Sequence, residues 1–293
     1  MADLITGIPE VDATRSALIA AEVQQELKAQ AILLPSVRDV SVYAKPGAKT
    51  VSFPKADSFV VQKKQSGEAA QAQALTFSND TMSLDQHAVI QWLVEDRSEL
   101  QSEVAVLVES AKRAASAHAR QIDLDILSAL YLGRSTSNDV DMTGNSNATF
   151  ALTDINLQRL YIKKSKMRGD VFLAASPEAE KDLLDIENFI SAEKYGSNEV
   201  LMNGEIGRIF GVRVLVSDMF DDFLAENSIT ATGSQVAMMY SREALAFAFQ
   251  QGARFQEQYD LPNLAMRQSL DQLYGLKVLQ SGVGVSYSSR SVA

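Results

Sequence analysis

The feature that most constrains this chain is an uninterrupted helical stripe near its middle. Ser98-Glu99-Leu100-Gln101 has the form of a capping box, in which a serine hydroxyl accepts from the amide three residues on and a glutamine reaches back. Leu100, Val104, Leu107, Val108, Ala111, Ala115, His118, Ile122, Ile126 and Leu130 then follow, mostly in steps of three and four, with no Gly or Pro before Gly133. A helix over 98–132 would run roughly 50 Å at about 1.5 Å per residue. Average helices have about 11–12 residues, so the pattern predicts an elongated protein built on one long spine. His118 lies on the stripe and reads as a packed, hydrogen-bonded histidine.

Ahead of the spine the pattern is first helical, then alternating. Ala17, Leu18, Ala21, Leu27, Ala31 and Leu34 recur near helical spacing, with Arg15, Glu22, Gln25 and Lys28 between them. Pro35 ends this segment, because proline disfavours helical geometry in the residue before it. The segment is either a docked N-terminal helix or an arm that packs on a neighbouring subunit. From Val37 to Leu93 the period becomes two: Val40 and Val42, Val51 and Phe53, Leu75 and Phe77, then Leu84 through Trp92 alternate with their neighbours, and Phe59-Val60-Val61 is a short apolar run. Residues 48–80 contain few large apolar side chains and carry a polar tip, Gln62-Lys63-Lys64-Gln65-Ser66-Gly67-Glu68. Such a segment does not build its own core, so a projecting β-hairpin that packs on something else is expected.

Behind the spine, 134–151 reads as a polar loop. Thr153 or Asp154 caps a helix to about Lys166, with Ile155, Leu157, Leu160, Tyr161 and Ile162 as its apolar residues. Val171-Phe172-Leu173-Ala174-Ala175 reads as a buried strand, and Ser176-Pro177-Glu178 opens a helix with proline in its first turn. Gly204 to Gly211 lead into an alternating strand, Val212 to Ser217. Val236 to Tyr240, Phe247 to Tyr259 and Ala265 to Gln280 are further strands, and the tail 281–289 holds another. The second unit is therefore α/β-like, with helices beside a small sheet, before the chain returns to the first unit.

Chemical motifs are sparse. With 27 Lys+Arg against 37 Asp+Glu the net charge is −10, which argues against a protein whose main task is gripping nucleic-acid phosphates. The absence of cysteine excludes disulfides, thiolate metal sites and cysteine nucleophiles. No run of 18 apolar residues occurs, and Met1-Ala2-Asp3-Leu4-Ile5 does not open a secretory signal. A catalytic triad or histidine metal site would need His87 or His118, and no HExxH spacing exists; His87 reads as a sheet residue. Gly204, Gly207 and Gly211 match neither dinucleotide nor P-loop motifs and read as turn glycines. Asp218, Asp221, Asp222 and Glu226 form the densest acidic cluster; without EF-hand spacing it reads as a solvated loop. Arg159, Lys163, Lys164, Lys166 and Arg168 read as a solvated helix face, with a phosphate-facing patch as the alternative. No catalytic residue, metal ligand or cofactor is expected. Extended elements that cannot bury their apolar surface within one chain point to assembly with neighbours.

Several stretches, in order, resemble the tailed-bacteriophage major capsid proteins, whose Hong Kong-phage-type fold is shared with the herpesvirus capsid floor and bacterial encapsulins. Gly47-Ala48-Lys49-Thr50-Val51-Ser52-Phe53-Pro54 resembles the family's lead-in to its extended loop, and Leu84 to Asp96 the strand that leads to the spine. Ala119 to Leu127 is similar to the end of the spine, and Phe172-Leu173-Ala174-Ala175-Ser176-Pro177 to the axial-domain strand and helix start. Asn203 to Ser217, with Gly204, Ile206, Gly207, Ile209, Gly211 and Val212, is the most specific stretch, and Tyr274-Gly275-Leu276-Lys277-Val278 resembles a motif near the family's C-terminus.

The resemblance spans roughly 35–280 and implies an α+β phage major-capsid fold: N-terminal arm and first peripheral strand (1–47), extended loop (48–80), peripheral domain with spine helix (81–134), axial domain (135–240), and a return to the peripheral domain with a C-terminal strand and tail (241–293). It implies a structural protein, not an enzyme, that self-assembles into hexamers and pentamers of an icosahedral shell around double-stranded DNA, in the virion and assembled in the host cytoplasm. A separate scaffolding protein is expected where assembly needs help, since no long scaffolding-like segment opens the chain, and portal and decoration proteins are the other expected partners. Phe59, Lys63, Lys64 and Glu68 are the expected inter-subunit contacts of the extended loop. Some family members crosslink a loop lysine to a neighbour's asparagine; nothing in this sequence supplies that partner. The alternatives are an encapsulin-like nanocompartment shell and, from another class, an enzyme with a carboxylate pair in a cleft between the two units.

Overall fold

The computed structural model describes residues 19–21, 23, 25, 27, 30–45, 47–56, 59, 61–66, 69, 72–74, 77–96, 106–141, 150–164, 169–185, 208–229, 235–279 and 285–290. The fold is α+β, as expected. Its strands are β1 (Arg38–Asp39), β2 (Thr50–Ala56), β3 (Phe77–Ser83), β4 (Gln86–Glu95), β5 (Val140–Asp141), β6 (Val171–Ala175), β7 (Arg208–Ile209), β8 (Val212–Val216), β9 (Gln235–Ser241), β10 (Leu245–Asp260), β11 (Ala265–Val278) and β12 (Val285–Arg290). They form a four-stranded sheet, β1-β10-β11-β4, a six-stranded sheet, β5-β12-β9-β6-β8-β7, and the separate pair β2-β3.

The spine is helix α1 (Val106–Gly133). The cap expected at Ser98 to Gln101 lies outside the described residues. Where its side chains are described, the predicted stripe is buried: Ala111, Ala115, His118, Ile122, Ile126 and Leu130 are each at most 2 % exposed, while Leu100 and Val104 and the side chains of Leu107 and Val108 lie outside what is described. Its first half packs with Phe255 and Leu270 of the four-stranded sheet, its second half with the six-stranded sheet. In β4 the inward residues are Ala88, Ile90, Trp92 and Val94, in the phase the alternation predicted.

The six-stranded sheet is covered on both faces. Phe172, Ala174, Val236, Met238 and Tyr240 meet the spine and helix α4 (Phe220–Glu226). Leu173, Ala175, Ala237 and Met239 meet helices α2 (Leu152–Lys164) and α3 (Pro177–Leu184). Neighbouring residues of one strand thus serve opposite layers. Helix α3 starts as read, with the Ser176 hydroxyl accepting from the Ala179 amide at 3.3 Å and Pro177 in the first turn. Helix α2 is capped from within: Asp154 reaches back to accept from the Ala151 amide at 3.0 Å. Phe210 and Gly211, with φ of 50° and 82°, close the β7–β8 hairpin; two positive φ values in a two-residue loop are the signature of the type I′ turn.

Several sequence expectations are corrected. On the arm the buried line is Ile19, Val23, Leu27 and Ala31, four residues apart, whereas Ala21 faces solvent; the larger side chains take the core because the gain scales with apolar area. Ser41–Tyr43 is a short 3-10 turn, not a strand. Within the stretch read as loop, Val140–Asp141 pairs parallel with β12. The acidic cluster at 221–226 is helical, because Phe220, Phe223 and Leu224 anchor one face of α4. On α2, Leu157 and Leu160 point away from the sheet, 38 % and 45 % exposed, because Ile155 and Ile162 already fill the inner side. The last strand, β12, pairs with β9 and β5 in the six-stranded sheet, apart from β10 and β11.

A buried carboxylate ties the arm to the spine. Asp123 is 3 % exposed and accepts from the amides of Ile32 at 2.9 Å and Leu33 at 3.0 Å, where the arm turns toward β1. Burial raises its pKa to about 6, against the pull of those backbone bonds. One step on, the Ser36 hydroxyl donates to the Leu33 carbonyl at 2.6 Å, leaving its lone pairs for the buried Tyr240 hydroxyl at 2.5 Å.

Candidate assembly surfaces

The β2–β3 pair is rooted firmly and projects from that root. Its register runs from Thr50↔Ser83 to Ala56↔Phe77. At the root, Val51, Met82 and Leu84 are buried with Val40, Ala246 and Ala248. The Gln250 side-chain amide donates to the carbonyls of Ala48 at 2.7 Å and Lys45 at 3.1 Å, and Lys277 donates to the Thr81 carbonyl at 2.6 Å. Gly275 of β11 lies directly beneath: a Cβ there would run into the Ser83 carbonyl oxygen, so only glycine lets the two backbones approach.

Beyond the root the described side chains face solvent. Phe59, Val61 and Phe77 are 62 %, 89 % and 66 % exposed. Lys63 and Lys64 are exposed beside them, outside regular structure, and Glu68 lies outside the described residues. Three of the four predicted contact residues thus share the exposed tip. The run Phe59 to Val61, read as strand, is not strand where described. Among the described residues nothing covers these large apolar groups.

The histidines serve the framework. His118 is locked by two bonds: its Nε2 donates to the Leu270 carbonyl at 3.2 Å and its Nδ1 accepts from the Gln272 side-chain amide at 3.1 Å. That pattern requires the neutral ring, and burial lowers its pKa in the same direction. His87, on β4, lies 3.4 Å from Asp271, which also takes two bonds from Arg254 at 2.7 and 3.0 Å. Burial opposes ionisation of Asp271, yet the bonds from Arg254 and His87 hold its pKa below the ordinary value.

A cleft of about 480 Å³ opens between β4, the spine and α4, lined by residues including His87, Gln121, Asp125, Glu226 and Tyr274. It brings two carboxylates, Asp125 and Glu226, to one opening. Asp125, however, is already engaged, accepting from the Tyr274 hydroxyl and from Gln121 at 2.9 Å. Burial, and then that bond, raises the pKa of Tyr274, so the pair is a fixed structural link. Among the described residues no group of His, Asp or Glu could hold a metal ion, and no helix is long and apolar enough to cross a membrane.

Two features escaped the sequence reading. Asp123 carries a signal, since it stands four residues from both Ala119 and Leu127 on the buried side of the spine. The role of Gly275 depends on a strand distant in sequence and carries no local signal. Of the most specific family-like stretch, 203–217, only residues from Arg208 on are described.

No protein-family model matches the sequence, and no curated protein matches it as a relative. Solved structures do match. The chain is similar to the capsid of cyanophage Pam1, with a TM-score of 0.66, 15 % identity and coverage of 90 % of this chain and 93 % of that one. It is similar to the mature capsid of bacteriophage PhiM1, at 0.63 and 13 %, covering 86 % and 85 %. A virus-like particle from Pyrococcus furiosus matches at 0.57 and 13 %, covering 94 % and 99 %. Matched over 85 % or more of each chain, these structures identify the fold as the tailed-phage capsid fold that the sequence resemblance implied.

Proposed function

We propose that this chain is the structural major capsid protein of a tailed phage, assembling into hexamers and pentamers that tile an icosahedral shell around double-stranded DNA. The observation that carries the reading is the two-way coverage of about nine-tenths at a TM-score of 0.66 with a phage capsid: the whole architecture corresponds, not one shared motif. The exposed apolar tip of the β2–β3 projection supports it, because Phe59 and Val61 need a neighbour to cover them. In this reading 48–80 lies across an adjacent subunit, with Phe59, Lys63, Lys64 and Glu68 in the contact. The region 135–240 converges on the capsomer axis, while 81–134 and the β10–β11 hairpin form the periphery. Net charge of −10 suits a container that encloses DNA without gripping it. Scaffolding, portal and decoration proteins would act as separate partners during assembly in the host cytoplasm. The nanocompartment alternative is less favoured, because phage capsids match at 0.66 and 0.63 over most of both chains.

Negative-stain electron microscopy with sedimentation tests this directly. Closed shells, tubes or six-membered rings are expected from the purified chain. Deleting 59–74 should abolish them while the monomer keeps its spectrum and melting transition. A small discrete oligomer at every salt and protein concentration, with or without a co-expressed scaffold, would overturn the reading.

A further inference from the structure

The two charged clusters that no chemistry absorbs lie on opposite faces of one layered unit. Helix α2 covers one face of the six-stranded sheet and α4 the other. With Ile155, Gln158 and Ile162 turned inward, α2 presents Leu157, Leu160, Lys163 and Lys164 outward. With Phe220, Phe223 and Leu224 turned inward, α4 presents Asp221, Asp222 and Glu226 around the small exposed Ala225. The outward side of α2 itself is thus apolar and basic, with Glu178 and Glu180 of α3 farther along the same layer, and that of α4 is a small-residue seat with an acidic rim, beside which Asp218 is paired with Arg120 at 3.5 Å.

We infer that the α2 face of one copy docks on the α4 face of the next, so that this charge complementarity sets the head-to-tail contact within a capsomer ring. The inference rests on the shell reading and names the surface that closes its rings. The occupant is a second copy because the complement of each face is carried by this chain itself. Symmetric pairing is disfavoured, since α2 against α2 would oppose lysines and α4 against α4 would oppose carboxylates. The contact is therefore heterologous, the kind that generates rings when the rotation closes. Leu157 and Leu160 supply the apolar area; exposed ion pairs are individually worth little, about 0–1 kcal/mol, so the charges act mainly on register and partner choice.

The test exchanges the charges. One variant carries Lys163→Glu and Lys164→Glu, a second carries Asp222→Lys and Glu226→Lys, and a third carries all four changes. Melting curves establish that each folds, and a milder Lys163→Gln, Lys164→Gln variant is followed through a salt titration in case a reversal unfolds the chain. Wild-type chain should form rings or shells. Each reversed variant alone should lose them, whereas the fourfold variant, and an equal mixture of the two reversed variants, should recover rings. In the mixture those rings should hold even numbers of copies, because only alternation matches the charges. The neutral variant should assemble only over a narrower salt range than wild type. Folded reversed variants that assemble alone as wild type does, or whose mixture and fourfold combination both fail, would overturn the inference while leaving the shell reading intact. Loss of DNA retention with assembly unchanged would also overturn it, assigning the α2 lysines to nucleic acid. Wild-type chain that never assembles would instead defeat the shell reading, and this inference with it.

Discussion

The six-stranded sheet and the β2–β3 hairpin are both made of alternating sequence, yet they end in opposite situations. Every inward side chain of β6 and β9 meets a helix on one face or the other, so Leu173, Ala174, Met238 and Met239 are fully buried. The hairpin buries Val51 and Met82 at its root, then carries Phe59, Val61 and Phe77 into solvent. The difference teaches that the sheet's stability is internal to the chain, whereas the hairpin's outer half leaves its described large apolar groups in solvent.

That contrast can be broken at the spine. Ile126→Ala should cost about 2–5 kcal/mol, as large-to-small changes at fully buried sites do, lowering the melting temperature of the whole chain. A substitution in the outer hairpin should do nothing comparable.

The arm junction sharpens it through pH. Asp123 has a folded pKa of about 6, above the 3.8 of an ordinary aspartate. Its contribution to stability is therefore fully present below the unfolded value and is lost as pH rises through the folded one. Between about pH 4 and 6 the wild-type chain should lose up to about 3 kcal/mol relative to Asp123→Asn, at about 1.4 kcal/mol per pH unit. Denaturant midpoints across that window, compared between the two chains, check both sign and range.

At the hairpin root, Gly275→Ala forces β11 away from Ser83 and should cost about 1–3 kcal/mol, the usual range for overpacking. Hydrogen exchange should show the loss concentrated in 50–56 and 77–83, with the six-stranded sheet unchanged. At the tip, Lys63→Ala with Lys64→Ala should move monomer stability by no more than about 0.5 kcal/mol. Any effect should appear in assembly alone, read by sedimentation. A large stability loss from the tip pair would break the comparison.

Much of the fold was legible because burial periodicity is local. The spine's stripe, the β4 alternation, the Ser176-Pro177 helix start and the Phe210-Gly211 turn each follow from residues within a few positions of one another. The acidic helix α4 was misread because its charges dominate a short window that only three apolar residues anchor. The outward turn of Leu157 and Leu160 was hidden because α2 is apolar on two sides, and only the sheet decides which side faces in. The tip residues were legible as a charged break between alternating runs, whereas Asp123 escaped because an isolated aspartate in phase with the spine's core reads like any solvated helix residue until the arm is seen against it.

By itself, then, the sequence determined the longer helices and strands and the apolar faces of the spine and β4, since those follow from the 3.6- and 2-residue periods of the backbone. Only the tertiary structure decided which strands share a sheet. That β12 pairs with β9, that β1 lies parallel to β10, and that Gly275 must pass beneath Ser83 are meetings between residues far apart in the chain. Their energies belong to the assembled layers, where apolar area is removed from water and each backbone donor finds its acceptor, and no local period encodes such a meeting.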